Sequence, residues 1–551
     1  MPLTDPASSP FATALALLAL GAPALLLLAG LVPATLADRR PALVARLAEA
    51  AAWLAFAAAL AGGALLATGT GAVAHEFAGL ALVGDVRLAL GVRVDTLTLV
   101  MWLLVAFVGA IVVRYSRRYL DGDARHGRFT RWLARTLAAV LTLIVAGNLA
   151  LLAAAWIATS LCLHRLLVHY RERPGAQLAA RKKFVLSRLG DAALLGAVAV
   201  AGATFGTLEY DGLFAAAEPL RAAGEIPLAA HALAALLVAS AVLKSAQFPF
   251  HGWLPEVMET PTPVSALLHA GIINAGGFLI VRLSPLVSLS APSLDVLAVI
   301  GAVTALFGAL VMLTQTSVKV SLAWSTVAQM GFMLLQCGLG SYASAVLHIV
   351  AHSLYKAHSF LSSGSVIELA KAAWVPASRG HARPVTLALA LLAAVALVAL
   401  VGRAFGVHVT EQPGVVVLGA IFAMGVVHLV WTAASDHPPA AVVARGAALA
   451  LLAAASWFAL QVATHALLAG SVAPDRVTAD PVALGLSVAV TAAFLIMLLI
   501  QELLPHRATD PRWQSAYVHV HNGLYLDALA NRWLQSTWPV RVATSAPGAI
   551  R

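Results

Sequence analysis

Apolar stretches of roughly 20 residues, separated by short polar or basic connections, recur almost without a break from Phe11 to about Leu504. A hydrocarbon core about 30 Å thick needs about 20 apolar residues of helix to cross it, and helices satisfy their own backbone polar groups in lipid. The pattern therefore predicts about fifteen spans, roughly 12–36, 42–68, 92–114, 133–147, 149–168, 187–206, 230–250, 262–282, 295–314, 321–339, 343–367, 384–402, 414–433, 441–468 and 481–504. The expected fold class is all-α, a polytopic membrane helix bundle. Spans near the two ends are Ala- and Leu-rich with almost no polar positions, the composition of packing helices, whereas polar and ionisable residues concentrate between Asn148 and Ser365. From Pro505 the pattern changes. Trp513, Tyr517, Leu524, Leu526, Leu529 and Trp533 alternate with charges and amides, as in an amphipathic segment lying on lipid or on a partner.

Composition agrees: 61% of the 551 residues are hydrophobic and 11% charged, which excludes a water-soluble domain. The net charge of +10 would fit a nucleic-acid binder, but the basic residues sort by side. Most fall on one set of alternate loops, led by Arg114–Arg131 and Arg165–Arg188, and on the tail. The opposite loop from Glu209 to Glu225 holds four acids and one arginine. The positive-inside rule then places the N-terminus outside and the C-terminus in the cytoplasm. No basic n-region precedes the first apolar run, so a cleavable signal is not expected. Cys162 and Cys337 lie singly in apolar segments and signal neither disulfide nor metal site. His519 and His521 stand two apart with no further ligand nearby.

Two lysines interrupt the apolar pattern where an ammonium is expensive. Lys244 lies about ten residues from either end of its run, followed by Pro249, Pro255, Pro261 and Pro263. Prolines free backbone carbonyls, and broken helices at membrane depth mark ion sites in transporters. Lys356 ends the series His348, His352, Lys356, spaced to form one stripe of one helix. Such residues point to proton or ion passage. A zinc site is disfavoured because no carboxylate or thiol accompanies the two histidines. His269, one helix after Lys244, is a candidate proton relay to it. Lys319 sits at an expected helix start near the cytoplasmic face, and Asp191 is expected to pair with Arg188 three residues away. The string from Arg181 to Lys183 reads as a cytoplasmic anchor.

The strings KSAQFPFHGWLPEVMETPTPVSALLHA, QTSVKVSLAWSTVAQMGFM and HIVAHSLYKAHSFLSSGSVIE, in this order, resemble the signature of the proton-translocating antiporter-like family. That family includes the distal membrane subunit of respiratory complex I, the large subunits of Mrp sodium/proton antiporters, and the membrane subunits of DAB inorganic-carbon accumulation complexes. The resemblance is strong over about Phe129 to Ala370. It implies a bundle with two inverted five-helix repeats, discontinuous helices and a mid-membrane Lys/His axis, with Lys244, His269, Lys319, His348, His352 and Lys356 on the titratable positions. The implied organisation is N-terminal helices 1–128, a first repeat 129–282, a degenerate second repeat 283–435, C-terminal helices 436–504 and a cytoplasmic amphipathic tail 505–551.

Two departures separate this chain from complex I and Mrp relatives. The family's fifth-helix W-E-G becomes WIA, with Ile157 where the glutamate that pairs with the broken-helix lysine would be, and the expected second lysine is missing from the apolar run 384–402. Lys244 is then left to be tuned by desolvation or by another acid such as Asp191, Glu256 or Glu259. The string from Ser160 to Asp191 and the ending YVHVHNGLYLDAL are similar to the DAB subunits. That resemblance implies a bacterial inner-membrane subunit, with no cofactor of its own, that conducts protons or sodium. The implied partner is a large cytoplasmic DabA-like zinc protein, similar to a β-carbonic anhydrase, which performs the hydration chemistry. The alternatives are a pumping subunit of a complex I or membrane-hydrogenase arm, and a non-conducting scaffold.

Overall fold

The structure, a computed structural model, describes residues 10–83, 86–364, 384–408, 412–434, 440–476, 481–503 and 509–538. Parts of the expected tail, 505–508 and 539–551, lie outside these residues, as does the end of the span expected at 343–367.

Among the described residues, each of the fifteen apolar stretches falls on one helix: α1 (Pro10–Leu31), α2 (Pro41–Leu65), α3 (Thr96–Tyr119), α4 (His126–Val145), α5 (Leu149–Leu167), α6 (Pro174–Phe205), α7 (Leu228–Lys244), α8 (Thr262–Arg282), α9 (Ala291–Thr314), α10 (Val318–Gly338), α11 (Tyr342–Leu361), α12 (Pro384–Ala404), α13 (Pro413–Ala434), α14 (Ala440–Leu468) and α15 (Pro481–Leu503). Eleven are long and apolar enough to cross a membrane by length and composition. The other four are α7 and α13, whose apolar runs are shorter, and the more polar α4 and α11.

One face carries an element that the apolar pattern did not reveal, an antiparallel hairpin of β1 (Val73–Val83) and β2 (Val86–Val94), paired from Val73 opposite Val94 to Val83 opposite Val86 with register shifts between Glu76 and Ala78 and between Ala81 and Val83. The hairpin is held down by Asn148, whose side-chain amide donates to the Ala89 carbonyl at 2.9 Å while its oxygen caps α5 by accepting from the Leu151 amide at 2.8 Å. Beside it, Asp95 caps α3 and pairs with Arg282 at the end of α8 through contacts of 2.6 and 3.1 Å. Burial alone would raise the Asp95 pKa, but Arg282, the Thr98 amide and Arg93 together hold the carboxyl well below its usual range. This buried pair ties the start of α3 to the end of α8.

At the opposite face the tail folds back onto the bundle as α16 (Pro511–His521) and α17 (Leu526–Thr537). Sequence left open whether this segment rests on lipid or on a partner; in the structure one side of it rests on the chain itself. Tyr517 donates to the Thr314 carbonyl at 3.1 Å, and Asn531 donates to Glu256 at 2.6 Å.

Between the faces, helices approach closely where side chains are smallest. Gly301 of α9 faces Gly331 of α10, Gly308 faces Ala328, and Gly338 of α10 faces Ala298, and a methyl group on any of these glycines would overlap facing backbone. Lipid removes the hydrophobic drive between helices, so association depends on such intimate packing.

Candidate functional site

The helix α7 stops at Lys244 because the chain turns: Ser245 leaves helical geometry and Ala246 is left-handed, with φ 51°. Lys244, 6% exposed, donates to the Trp156 carbonyl of α5 at 3.3 Å and sits 4.3 Å over the centre of the Trp156 ring. The face of an indole attracts a cation most strongly when water is excluded. A second buried amine lies close by. Lys183 of α6 donates to the carbonyl and the hydroxyl of Ser160 at 2.9 and 2.8 Å and interacts electrostatically with Lys244. The counter-charge is Asp191, one of the three acids the sequence offered. It pairs with Arg188 at 2.5 Å, as its spacing predicts, and also acts on Lys244 and Lys183. Ile157 stands where the family has an acid; Trp156 on the same helix contacts Lys244, and Asp191 on the next acts on it electrostatically.

The other two acids are elsewhere. Glu256 pairs with Lys182 at 2.9 Å, and Glu259 pairs with Arg173 at 3.3 Å in an exposed position. The prolines after Lys244 carry these residues toward the tail face. The Arg181–Lys183 string lies within α6, which begins at Pro174 rather than near 187. That added length of helix buries Lys182 and Lys183, at 8% and 3% exposed.

The second cluster is built on α11. His348 and His352 stack with centroids 5.9 Å apart, and Lys356, fully buried, donates to the Leu322 carbonyl of α10 at 2.9 Å. His269 belongs here rather than beside Lys244. Its helical half, Thr262–Ala270, packs along α11, its ring stacks on Phe360 at 4.4 Å, and it interacts with Lys356 and His352. Lys319, in the first turn of α10 as expected, donates to Thr262 at 3.2 Å.

A polar bridge that sequence reading missed joins the clusters. Helix α8 breaks between Ala270 and Ala275 through a tight turn, Ile272–Asn274. Ser245, next to Lys244, donates to the Ile273 carbonyl at 3.0 Å; Asn274 donates to Ser353 of α11 at 2.9 Å, one residue from His352. Close approach of α7 and α8 at this break requires Gly276, where a methyl group would overlap Ser245 and the Ala241 carbonyl. The sequence carried a signal in GIINAGG, an amide between glycines inside an apolar run. His251 was also missed: it is fully buried, with its ring packed among Phe248, Phe307 and Trp324. Among the described residues no group of three or more His, Cys, Asp or Glu could hold a metal ion.

Helix breaks beside buried amines, arranged in a many-helix bundle, define an antiporter-like membrane subunit, and comparison with known proteins agrees. The profile described as NADH:quinone oxidoreductase/Mrp antiporter, TM, matches residues 146–432, and that described as NADH-ubiquinone oxidoreductase (complex I), chain 5 N-terminus, matches residues 80–130. The chain belongs to the NADH:quinone oxidoreductase/Mrp antiporter transmembrane family. It is 40% identical over 465 residues to the probable inorganic carbon transporter subunit DabB2 of Halothiobacillus neapolitanus, covering 83% of this chain and 82% of that one. It is 41% identical over 287 residues to NADH-quinone oxidoreductase subunit L of Mycobacterium tuberculosis, covering 52% of this chain and 44% of that one. Among solved structures, a chain of the Mrp complex from Dietzia sp. DQ12-45-1b shares the fold, with a TM-score of 0.61 at 23% identity over 94% of this chain and 59% of that one.

Proposed function

We propose that this chain is the ion-conducting membrane subunit of an energy-coupled inorganic-carbon uptake complex. The observation that carries the reading is the pair of buried amines, Lys244 and Lys356, bridged by Ser245, the broken turn of α8, Asn274 and Ser353. A buried amine near a counter-charge and a helix break can gain and lose a proton, and a lysine in that setting is a functional group by default. In this reading Lys244 is the central carrier, with Asp191 as its counter-charge. His269, His352, His348 and Lys356 form the second station, and Lys319 lies toward the cytoplasmic side. The tail face is cytoplasmic and the hairpin face is external, in a bacterial inner membrane, as the sorting of basic residues supports.

The chain supplies no zinc ligands of its own in this reading, so hydration of CO2 belongs to a large soluble DabA-like zinc partner at the tail face. Sequence similarity to a probable inorganic carbon transporter subunit over most of both chains supports that assignment. The drive is sufficient: at about 150 mV one charge moving inward releases about 3.5 kcal/mol, enough for a gradient of a few hundredfold. Protons are the favoured ion because the path is lined by imidazoles and amines, which carry protons and repel sodium. The test is complementation of a carbonic-anhydrase-deficient host by the complete complex. Lys244→Ala and Lys356→Ala should assemble but fail to support growth in air; normal growth would refute the conducting role.

A further inference from the structure

The tail contacts both halves of the bundle through different helices. Its first helix holds the C-terminal end of α9: Tyr517 donates to the Thr314 carbonyl, His521 approaches the same carbonyl at 3.0 Å, and Gln315 donates to the His521 carbonyl at 3.2 Å. Its second helix holds the segment that follows the break at Lys244. There Lys182, on the turn of α6 that also carries Lys183, is bracketed by Glu256 at 2.9 Å and Asp527 at 3.5 Å, and Asn531 donates to the other Glu256 oxygen at 2.6 Å. The Asp527 carboxylate lies directly against Gly252, where a methyl group would fall on top of it. Leu534 is buried on the same surface, and Arg181 donates to the Trp538 carbonyl at 2.8 Å. Between the two helices, Gly523, Leu524 and Tyr525 all adopt left-handed backbone, with φ of 57°, 53° and 61°. Leucine and tyrosine rarely adopt it, and such strain persists only where surrounding contacts over-determine it. Gly523 packs on Trp324, two residues from the carbonyl that receives Lys356.

We propose that the tail is a positioning strap for the ion path, with Asp527 as its key residue: it completes the ion triad with Lys182 and Glu256 and thereby fixes the broken segment 252–256 while the preceding helix is anchored on the end of α9 and its following turn on Trp324 of α10. This rests on the conducting role proposed above. Ordinary packing of an amphipathic tail does not require a charge triad across three separate segments, nor a glycine where the carboxylate lands. Asp527 acts through Lys182 and Glu256 and touches no proton carrier directly.

The test uses the complete complex in proteoliposomes, with flux measured per assembled complex. Asp527→Ala should lower ion flux about tenfold, the usual effect of removing one partner from a partly buried charge-assisted contact, and Gly252→Ala, which keeps every charge but expels the carboxylate, should match it. In a background with Cys162 and Cys337 replaced by alanine, Val185→Cys and Leu534→Cys, which line one small cavity under the strap, are joined by a short bis-thiol reagent with a reducible link. The cross-link should restore flux to Asp527→Ala, and reduction should remove it again. Undiminished flux in Asp527→Ala, no restoration by the cross-link, or loss of flux on cross-linking an otherwise native strap each overturns the proposal. Lys244→Gln in the same vesicles separates the two readings: if it conducts, the conducting role itself fails, and if it does not, only the strap is at issue.

Discussion

Replacing Asp95 by asparagine tests the buried electrostatics of the hairpin face with a magnitude set by geometry. Asparagine still caps α3, so the loss is confined to the charge. That charge faces Arg282, 1% exposed, through contacts of 2.6 and 3.1 Å, and Arg93 at 3.1 Å. Breaking a buried pair by removing one partner costs about 3–5 kcal/mol because the remaining charge is stranded. Arg93 keeps a second partner, Asp211, but Arg282 has no other carboxylate among its contacts in the described residues. Asp95→Asn should therefore lose about 3 kcal/mol or more, and Asp95→Ala about 1 kcal/mol beyond that through the lost cap. Asp95→Asn combined with Arg282→Met should recover most of the loss, since no charge is left stranded. Unfolding by SDS titration of the purified chain at constant pH measures each variant. A single Asp95→Asn variant as stable as the native chain would show that the pair is solvated and refute the reasoning. The pH dependence has a definite sign. The folded carboxyl titrates below its unfolded value near 4, so its contribution is complete above that pH and is lost as the pH falls further.

Three further outcomes follow from other contacts. The Glu209 carboxyl is raised to about 7 by burial first and by Glu76 second, so the folded chain holds a proton that the unfolded chain releases. Stability should fall from pH 5 to 7, and Glu209→Gln should abolish that slope in thermal melts; an unchanged slope contradicts the assignment. Trp156→Leu removes the ring beneath Lys244 but keeps the backbone carbonyl. Loss of a desolvated cation–π contact of about 2 kcal/mol should slow flux in vesicles by roughly thirtyfold at most, and unaltered flux would mean that the ring is packing alone. Asn274→Ala and Ser353→Ala should each reduce flux about tenfold, and the double variant should be no worse than either. Additive losses would show that the two groups do not form one bridge.

The fifteen apolar stretches that form helices were legible because apolar length is a strong signal in a membrane chain, and the two lysines stood out because charge inside such runs is costly. The spacing of His348, His352 and Lys356 fixed a shared stripe without any tertiary knowledge. Failures came where the third dimension decides. His269 could not be assigned to α11 rather than to Lys244, because only the packing of the α8 half-helix settles it. Lys182 and Lys183 read as an anchor because basic strings mark helix ends; that both are buried followed only from the extension of α6 by a further dozen residues toward the tail face. Asp191, Glu256 and Glu259 were equivalent in sequence and were separated only by the path of the chain after Lys244. The hairpin was hidden although β2 alternates cleanly, with Val86, Leu88, Leu90, Val92 and Val94 at every second position, because the end of that strand runs into the apolar span read at 92–114.

Proton flux through the complete complex in sealed proteoliposomes, read with an internal pH dye under an imposed potential, tests the central claim most directly. The native complex should acidify the lumen, and Lys244→Gln and Lys356→Gln should each reduce the rate to that of protein-free vesicles while the complex remains assembled. Native rates in either variant would contradict a path that runs through both amines.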